Sequence, residues 1–269
     1  MNAVLRHRRH PLALVVLLLG GLLVAGMLYA AVAPTRAVAS AVTGEDQIAL
    51  GEELFLANCS TCHGVDGAGG YENAEGRVAG PSLIGVGAAS VDFQVGTGRM
   101  PAQASGPQIA KRDPQFSVEE TRAMAAYVAS AFGPGPGIPD EEFLDPANGD
   151  LAEGAELFRV NCAMCHNFAG SGGALTRGKY APNLRGVEPV HIYEAMVTGP
   201  QSMPVFSDDT LTPQQKNDII SYLDYVETEP SPGGLSLGSL GPVGDGLFVW
   251  VVGITGLIAC AVWLGAKSS

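Results

Sequence analysis

One pattern occurs twice in this chain, and it constrains the fold more than any other feature. Gly51, Glu53, Leu54, Phe55, Asn58, Cys59, Cys62 and His63 recur as Gly154, Glu156, Leu157, Phe158, Asn161, Cys162, Cys165 and His166. The correspondence continues downstream: Pro81 and Leu83 answer to Pro182 and Leu184, Thr97-Gly98 to Thr198-Gly199, and Met100-Pro101 to Met203-Pro204. A long ordered repeat of this kind marks one folding unit used twice. The chain therefore divides into a first domain over 44–133 and a second over 150–229. The stretch between them, 134–149, is so rich in Pro and Gly that it reads as an irregular linker.

Each unit opens and closes on a helix. Glu45 to Asn58 and Leu151 to Asn161 are the opening helices. Ser117-Val-Glu-Glu120 and Thr212-Pro-Gln-Gln215 are capping boxes, the second with Pro213 at the favoured first helical position. Apolar residues at helical spacing carry these closing helices to about Ala131 and Val226. Neither unit shows the alternation of a strand, so the fold class is mostly α, as two tandem domains.

The four repeated cysteines form two C-x-x-C-H motifs, the attachment pattern for c-type haem. That spacing puts both thiols on one edge of a short helical turn, where they reach the two haem vinyl groups, and the next residue meets the iron. The covalent sites are therefore Cys59 and Cys62 for one haem and Cys162 and Cys165 for the other, with His63 and His166 as iron ligands. A single zinc held by four thiolates and a redox dithiol are the rivals. The histidine in each motif opposes the first, and the lack of a βαβ context opposes the second.

The second iron ligand is read as Met100 in the first domain and Met203 in the second, because both stand before Pro at equivalent places. A thioether opposite imidazole raises the potential. His191 competes for the second iron but has no counterpart in the first domain. Met124, Met164 and Met196 read as packing residues. With both iron faces filled by protein there is no room for a substrate, so the chain reads as an electron relay.

Residues 12–32 are an uncharged run long enough to span a bilayer. The basic segment 1–11 before it contains Arg6, Arg8 and Arg9, which places the N-terminus in the cytoplasm. This run is read as a retained anchor; the alternative is a cleaved signal peptide, with Ala37-Val38-Ala39 as the cleavage site. A second spanning helix is expected over 247–266, after a linker over 230–246. Trp250 and Trp263 stand near its ends and Lys267 follows on the cytoplasmic side. Cys260, the fifth cysteine, reads as a small apolar residue within it. The domains between the two spans then lie outside the cytoplasm.

The formal net charge is −12, which argues against a nucleic-acid partner. All 27 acidic residues fall between Glu45 and Asp245. Such an acidic surface suits a basic docking partner, or keeps the domains off anionic lipid.

Each repeat resembles a class I cytochrome c domain, on Gly51, Phe55, the C-x-x-C-H motif, Pro81, Met100 and Tyr127, and again on Gly154, Phe158, Pro182, Met203 and Tyr222. The resemblance implies opening and closing helices that cross at Gly51 and Gly154, with Phe55 and Phe158 packed towards Tyr127 and Tyr222. It also implies that the Pro81 and Pro182 carbonyls accept the histidine N–H. The whole chain resembles the dihaem cytochrome c subunits of actinobacterial cytochrome bc complexes. That likeness implies a plasma-membrane subunit of a quinol–cytochrome c reductase, partnered by cytochrome b. Electrons would pass from a Rieske iron–sulfur protein through two haems to an aa3-type oxidase. A free-standing anchored dihaem shuttle and the cytochrome subunit of a periplasmic dehydrogenase are the alternatives. A C-terminal span opposes both, since one anchor suffices for a tether.

Overall fold

The computed structural model describes residues 11–32, 44–70, 80–104, 106–229 and 242–267. The basic N-terminal residues, the Ala37-Val38-Ala39 site and most of the 230–246 segment lie outside the described residues. The chain forms two compact units, divided between residues 42 and 43. In the first, helix α1 covers Pro11–Val32, with an apolar stretch at Leu18–Met27.

The second unit holds both repeats. The first repeat contains α2 (Gly44–Asn58), the single turn α3 (Ser60–His63), α4 (Gly87–Gly96) and α5 (Val118–Ala131). The second contains α6 (Leu151–Asn161), the turn α7 (Ala163–His166), α8 (Pro189–Thr198) and α9 (Pro213–Thr228). Two short strands, β1 (Gly173–Ala174) and β2 (Tyr180–Ala181), pair antiparallel within the second repeat. The chain closes with α10 (Pro242–Lys267).

Local chemistry sets the helix limits. The Ser117 side chain accepts from the Glu120 amide while the Glu120 carboxylate accepts from the Ser117 amide, and Thr212 and Gln215 do the same. Each cap contributes about 1 kcal/mol. The Asp150 side chain caps α6 by accepting from the Ala152 and Glu153 amides.

Opening and closing helices pack on each other in both repeats, α2 on α5 and α6 on α9. The crossings leave no room for a side chain. A Cβ on Gly51 would overlap the Ala123 carbonyl, and one on Gly154 the Asp218 carbonyl. Beside each crossing an aromatic pair fills the core: Phe55 lies 5.5 Å from Tyr127 and Phe158 5.3 Å from Tyr222, centroid to centroid. Phe55 and Phe158 are both fully buried, each stabilising the fold by about 1.5–3 kcal/mol. The crossing and pairing implied by the family resemblance are both present.

The segment between the repeats differs from the expected irregular linker. It contains two 3₁₀ turns, Glu141–Phe143 and Pro146–Asn148. The buried Asn217 amide of α9 donates to the carbonyls of Phe143 and Asp145, 2.9 Å each, so side-chain hydrogen bonds hold a segment whose Pro and Gly content reads as an irregular linker. At its start the Pro136 carbonyl accepts from Ala89 of α4. The two repeats are thereby built into one body. α4 and α8, which the repeat pattern did not reveal, pack against each other across the seam.

In α10, Gly244–Ala266 has a mean hydropathy of 2.4 and no part buried in the protein. At 1.5 Å per residue it is about 35 Å long, enough for the ~30 Å hydrocarbon core. Cys260 is exposed on it, among residues suited to lipid.

Candidate functional site

In each repeat the opening helix breaks at the first cysteine, and one turn then gathers both thiols and the histidine. The amides of Cys62 and His63 donate to the Cys59 carbonyl at 3.1 and 3.0 Å. Those of Cys165 and His166 donate to the Cys162 carbonyl at 3.1 and 2.9 Å. Both imidazoles are buried. His63 Nδ1 donates to the Pro81 carbonyl at 2.8 Å, and His166 Nδ1 to the Pro182 carbonyl at 3.0 Å. With the proton committed to Nδ1, each Nε2 presents its lone pair. Burial pushes the His166 pKa down, against the Pro182 carbonyl that pushes it up. The net effect keeps the ring neutral, the form a metal requires.

The loop bearing each proline is tied to its turn by equivalent bonds. Gly69 N donates to the His63 carbonyl and Gly172 N to that of His166; Leu83 N donates to Gly67 and Leu184 N to Gly170. Sites 1 and 2 are copies in backbone as well as in sequence.

At the second site Cys162, Cys165, His166 and Met203 line one cavity of about 300 Å³. Two thiols, one imidazole with Nδ1 already engaged and a thioether on apolar walls could hold a covalently attached haem. At the first site Cys59, Cys62 and His63 share their turn, and Met100 follows α4, its amide donating to the Gln94 carbonyl at 2.9 Å. Before haem is attached, burial, reinforced by the neighbouring thiol, pushes the Cys59 and Cys162 thiols up to about 11. The four-thiolate zinc reading fails on geometry. Among the described residues, the one group of three or more gathered metal-ligating side chains is Asp92, His191 and Glu194.

That cluster was not legible in the sequence. His191 also lines the second cavity, but its Nδ1 lies 3.1 Å from Glu194 Oε2 and its ring meets Phe93 edge-on. Asp92 is ion-paired with Arg122 at 3.0 Å. Burial, then the nearby Asp92, pushes Glu194 up to about 10, with Arg122 opposing. Glu194 is thus a neutral carboxylic acid at the seam between α4, α5 and α8. Among the methionines, Met124 and Met196 are core residues as expected. Met164 is not: it is 90% exposed, on the attachment turn beside the second site's cavity.

Comparison with known proteins agrees with this geometry. Residues 48–132 match a family model described as cytochrome c. Residues 149–223 match one described as cytochrome c oxidase, cbb3-type, subunit III. Three curated relatives are each named cytochrome bc1 complex cytochrome c subunit. The one from Corynebacterium efficiens is 45% identical over 265 residues, covering 92% of this chain and 86% of the relative. That from Mycobacterium leprae is 45% identical over 260 residues, covering 94% and 87%. That from Mycobacterium tuberculosis is 44% identical over 271 residues, covering 98% and 94%. The cofactor these domains carry is covalently bound haem c, and two domains accommodate two. With identity sustained over nearly the full length of both partners, the chain belongs to the family of cytochrome bc1 complex cytochrome c subunits.

Proposed function

We propose that this chain is the electron-relaying subunit of a quinol–cytochrome c reductase, taking electrons singly from a Rieske iron–sulfur protein and delivering them to an aa3-type oxidase. The observation that carries the reading is the duplicated turn. Two buried histidines, each with Nδ1 on a proline carbonyl, are built into one compact unit. In this reading Cys59 and Cys62 attach one haem and Cys162 and Cys165 the other. His63 and Met100 bind one iron, and His166 and Met203 the second. Haem held there supplies a one-electron iron couple.

The protein's part is to hold its ligands still. The Pro81 and Pro182 carbonyls fix the tautomer and orientation of the two rings and raise their basicity. Burial of both rings keeps water from the iron faces they occupy. With each ligand set complete, oxidation and reduction need little rearrangement, which suits a relay and leaves no position for substrate.

α10 supplies one membrane span and α1 the other, with the basic N-terminus in the cytoplasm and the haem domains outside it, at the plasma membrane. An unburied apolar helix of this length needs lipid or partner helices around it, and cytochrome b is the natural neighbour within the complex. The test is a mild-detergent pull-down through a C-terminal tag, with mass spectrometry. Cytochrome b, Rieske protein and oxidase subunits are expected. Recovery of the chain alone would make it an anchored shuttle, and recovery with a periplasmic dehydrogenase would make it that enzyme's cytochrome subunit.

A further inference from the structure

Arg99 is a largely buried residue with no anion beside it among the described residues. The residue is 8% exposed, with Cζ 4.8 Å from the centroid of the Phe93 ring. It makes no ion pair among the described residues. A cation–π contact offsets only part of the cost of a desolvated charge left without an anion. The nearby carboxyl groups are engaged elsewhere: Asp92 with Arg122, and Glu194 with His191.

Arg99 belongs to the first repeat, yet it lines the second repeat's cavity, together with His166 and Met203. Lys111, also from the first repeat, lines this cavity too. The seam is clamped there. The Gln108 side chain donates to the Tyr180 carbonyl and accepts from the Tyr180 amide, 2.9 Å each. The first repeat therefore presents fixed positive charge to a cavity built from the second. Haem c carries two propionate carboxylates on one edge.

We infer that Arg99 of the first repeat is the counter-charge for a carboxylate of the haem held in the second repeat. The inference rests on the reading that Cys162, Cys165, His166 and Met203 hold that haem. Each domain then completes the other: one binds the iron, and its neighbour balances the cofactor's charge. Because a nearby positive charge disfavours the ferric state, Arg99 raises the potential of the second haem. It is a positioning and tuning residue, touching neither iron nor thioether.

The test is a redox titration of the full dihaem chain in detergent, comparing wild type, Arg99→Gln, Arg99→Lys and Lys111→Gln, with Met203→His marking the second haem's wave. Arg99→Gln is expected to shift that wave's reduction equilibrium about tenfold towards the oxidised form, about 59 mV for a one-electron couple. Arg99→Lys should stay within about twofold of wild type. A shift confined to the wave that Met203→His leaves in place would assign Arg99 to its own repeat's haem and overturn the proposal, as would no shift at all. If Arg99→Gln fails to assemble, Lys111→Gln decides: a smaller shift of the second wave in the same direction supports the proposal, and none refutes it. A wild-type wave that changes between chloride and phosphate, with the dependence lost in Arg99→Gln, would assign the guanidinium to a free anion instead. Met203→His moving neither wave would refute the ligand reading itself, independently of the Arg99 result, and the proposal with it.

Discussion

Replacing Glu194 with Gln should stabilise the protein, and the gain should grow with pH. Glu194 is fully buried and holds its proton to about pH 10, whereas its ordinary value is 4.5. Between those values the folded state binds a proton that the unfolded state has released, so stability falls as pH rises. Each pH unit in that window costs about 1.4 kcal/mol, which gives about 3 kcal/mol at pH 7 from this one group. Gln keeps an oxygen to accept from His191 Nδ1, which lies 3.1 Å from Glu194 Oε2, and has no proton to lose. Thermal unfolding of the full chain in detergent, followed by ellipticity, is the assay. For a domain of this size 1 kcal/mol is worth about 2–4 °C. Glu194→Gln should therefore match wild type below about pH 4.5 and melt about 6–12 °C higher at pH 7. A difference between the two that stays constant from pH 5 to 8 would show that Glu194 is not held neutral, and the reasoning would fail.

Three further outcomes follow from the packing and the ligand reading. Met100→His and Met203→His should each lower the potential of one haem without releasing it, since a nitrogen ligand favours the ferric state; spectroelectrochemistry reads the shift, and unchanged potentials in both would show that the sixth ligands are wrong. Gly154→Ala drives a methyl into the Asp218 carbonyl, so overpacking should cost at least about 1–3 kcal/mol, seen as a lower melting point; a neutral effect would show that the crossing is not tight. Asn217→Ala leaves the Phe143 and Asp145 carbonyls without their donor, a loss of about 1–3 kcal/mol, with faster proteolysis between residues 134 and 149.

The parts of this fold visible in the sequence are those set by neighbours in the chain. Ser117 and Thr212 announce α5 and α9 because a capping box is a local bond pattern. The duplicated Gly-x-x-x-Phe run and C-x-x-C-H motif fix the two attachment turns for the same reason. What stayed hidden depends on contacts between distant segments. α4 buries Gly87, Ala89, Asp92, Phe93 and Val95, and α8 buries Ile192, Tyr193, Glu194 and Met196, positions spread widely around each helix, which blurs the helical period. The 3₁₀ turns after residue 140 exist because Asn217, more than seventy residues away, holds their carbonyls. Glu194 and Arg99 look like ordinary surface charges in sequence; only the seam between repeats makes one a neutral acid and sets the other on the neighbouring repeat's cavity.

In the proposed function both haems of this chain lie in series between the Rieske centre and the oxidase. The most direct measurement mixes the fully reduced complex, purified in mild detergent, with oxygen and follows the c-type haem bands on the millisecond scale. Both c-type haems are expected to oxidise at least as fast as steady-state turnover and ahead of cytochrome b. A c-type haem that stays reduced while the oxidase turns over would contradict it.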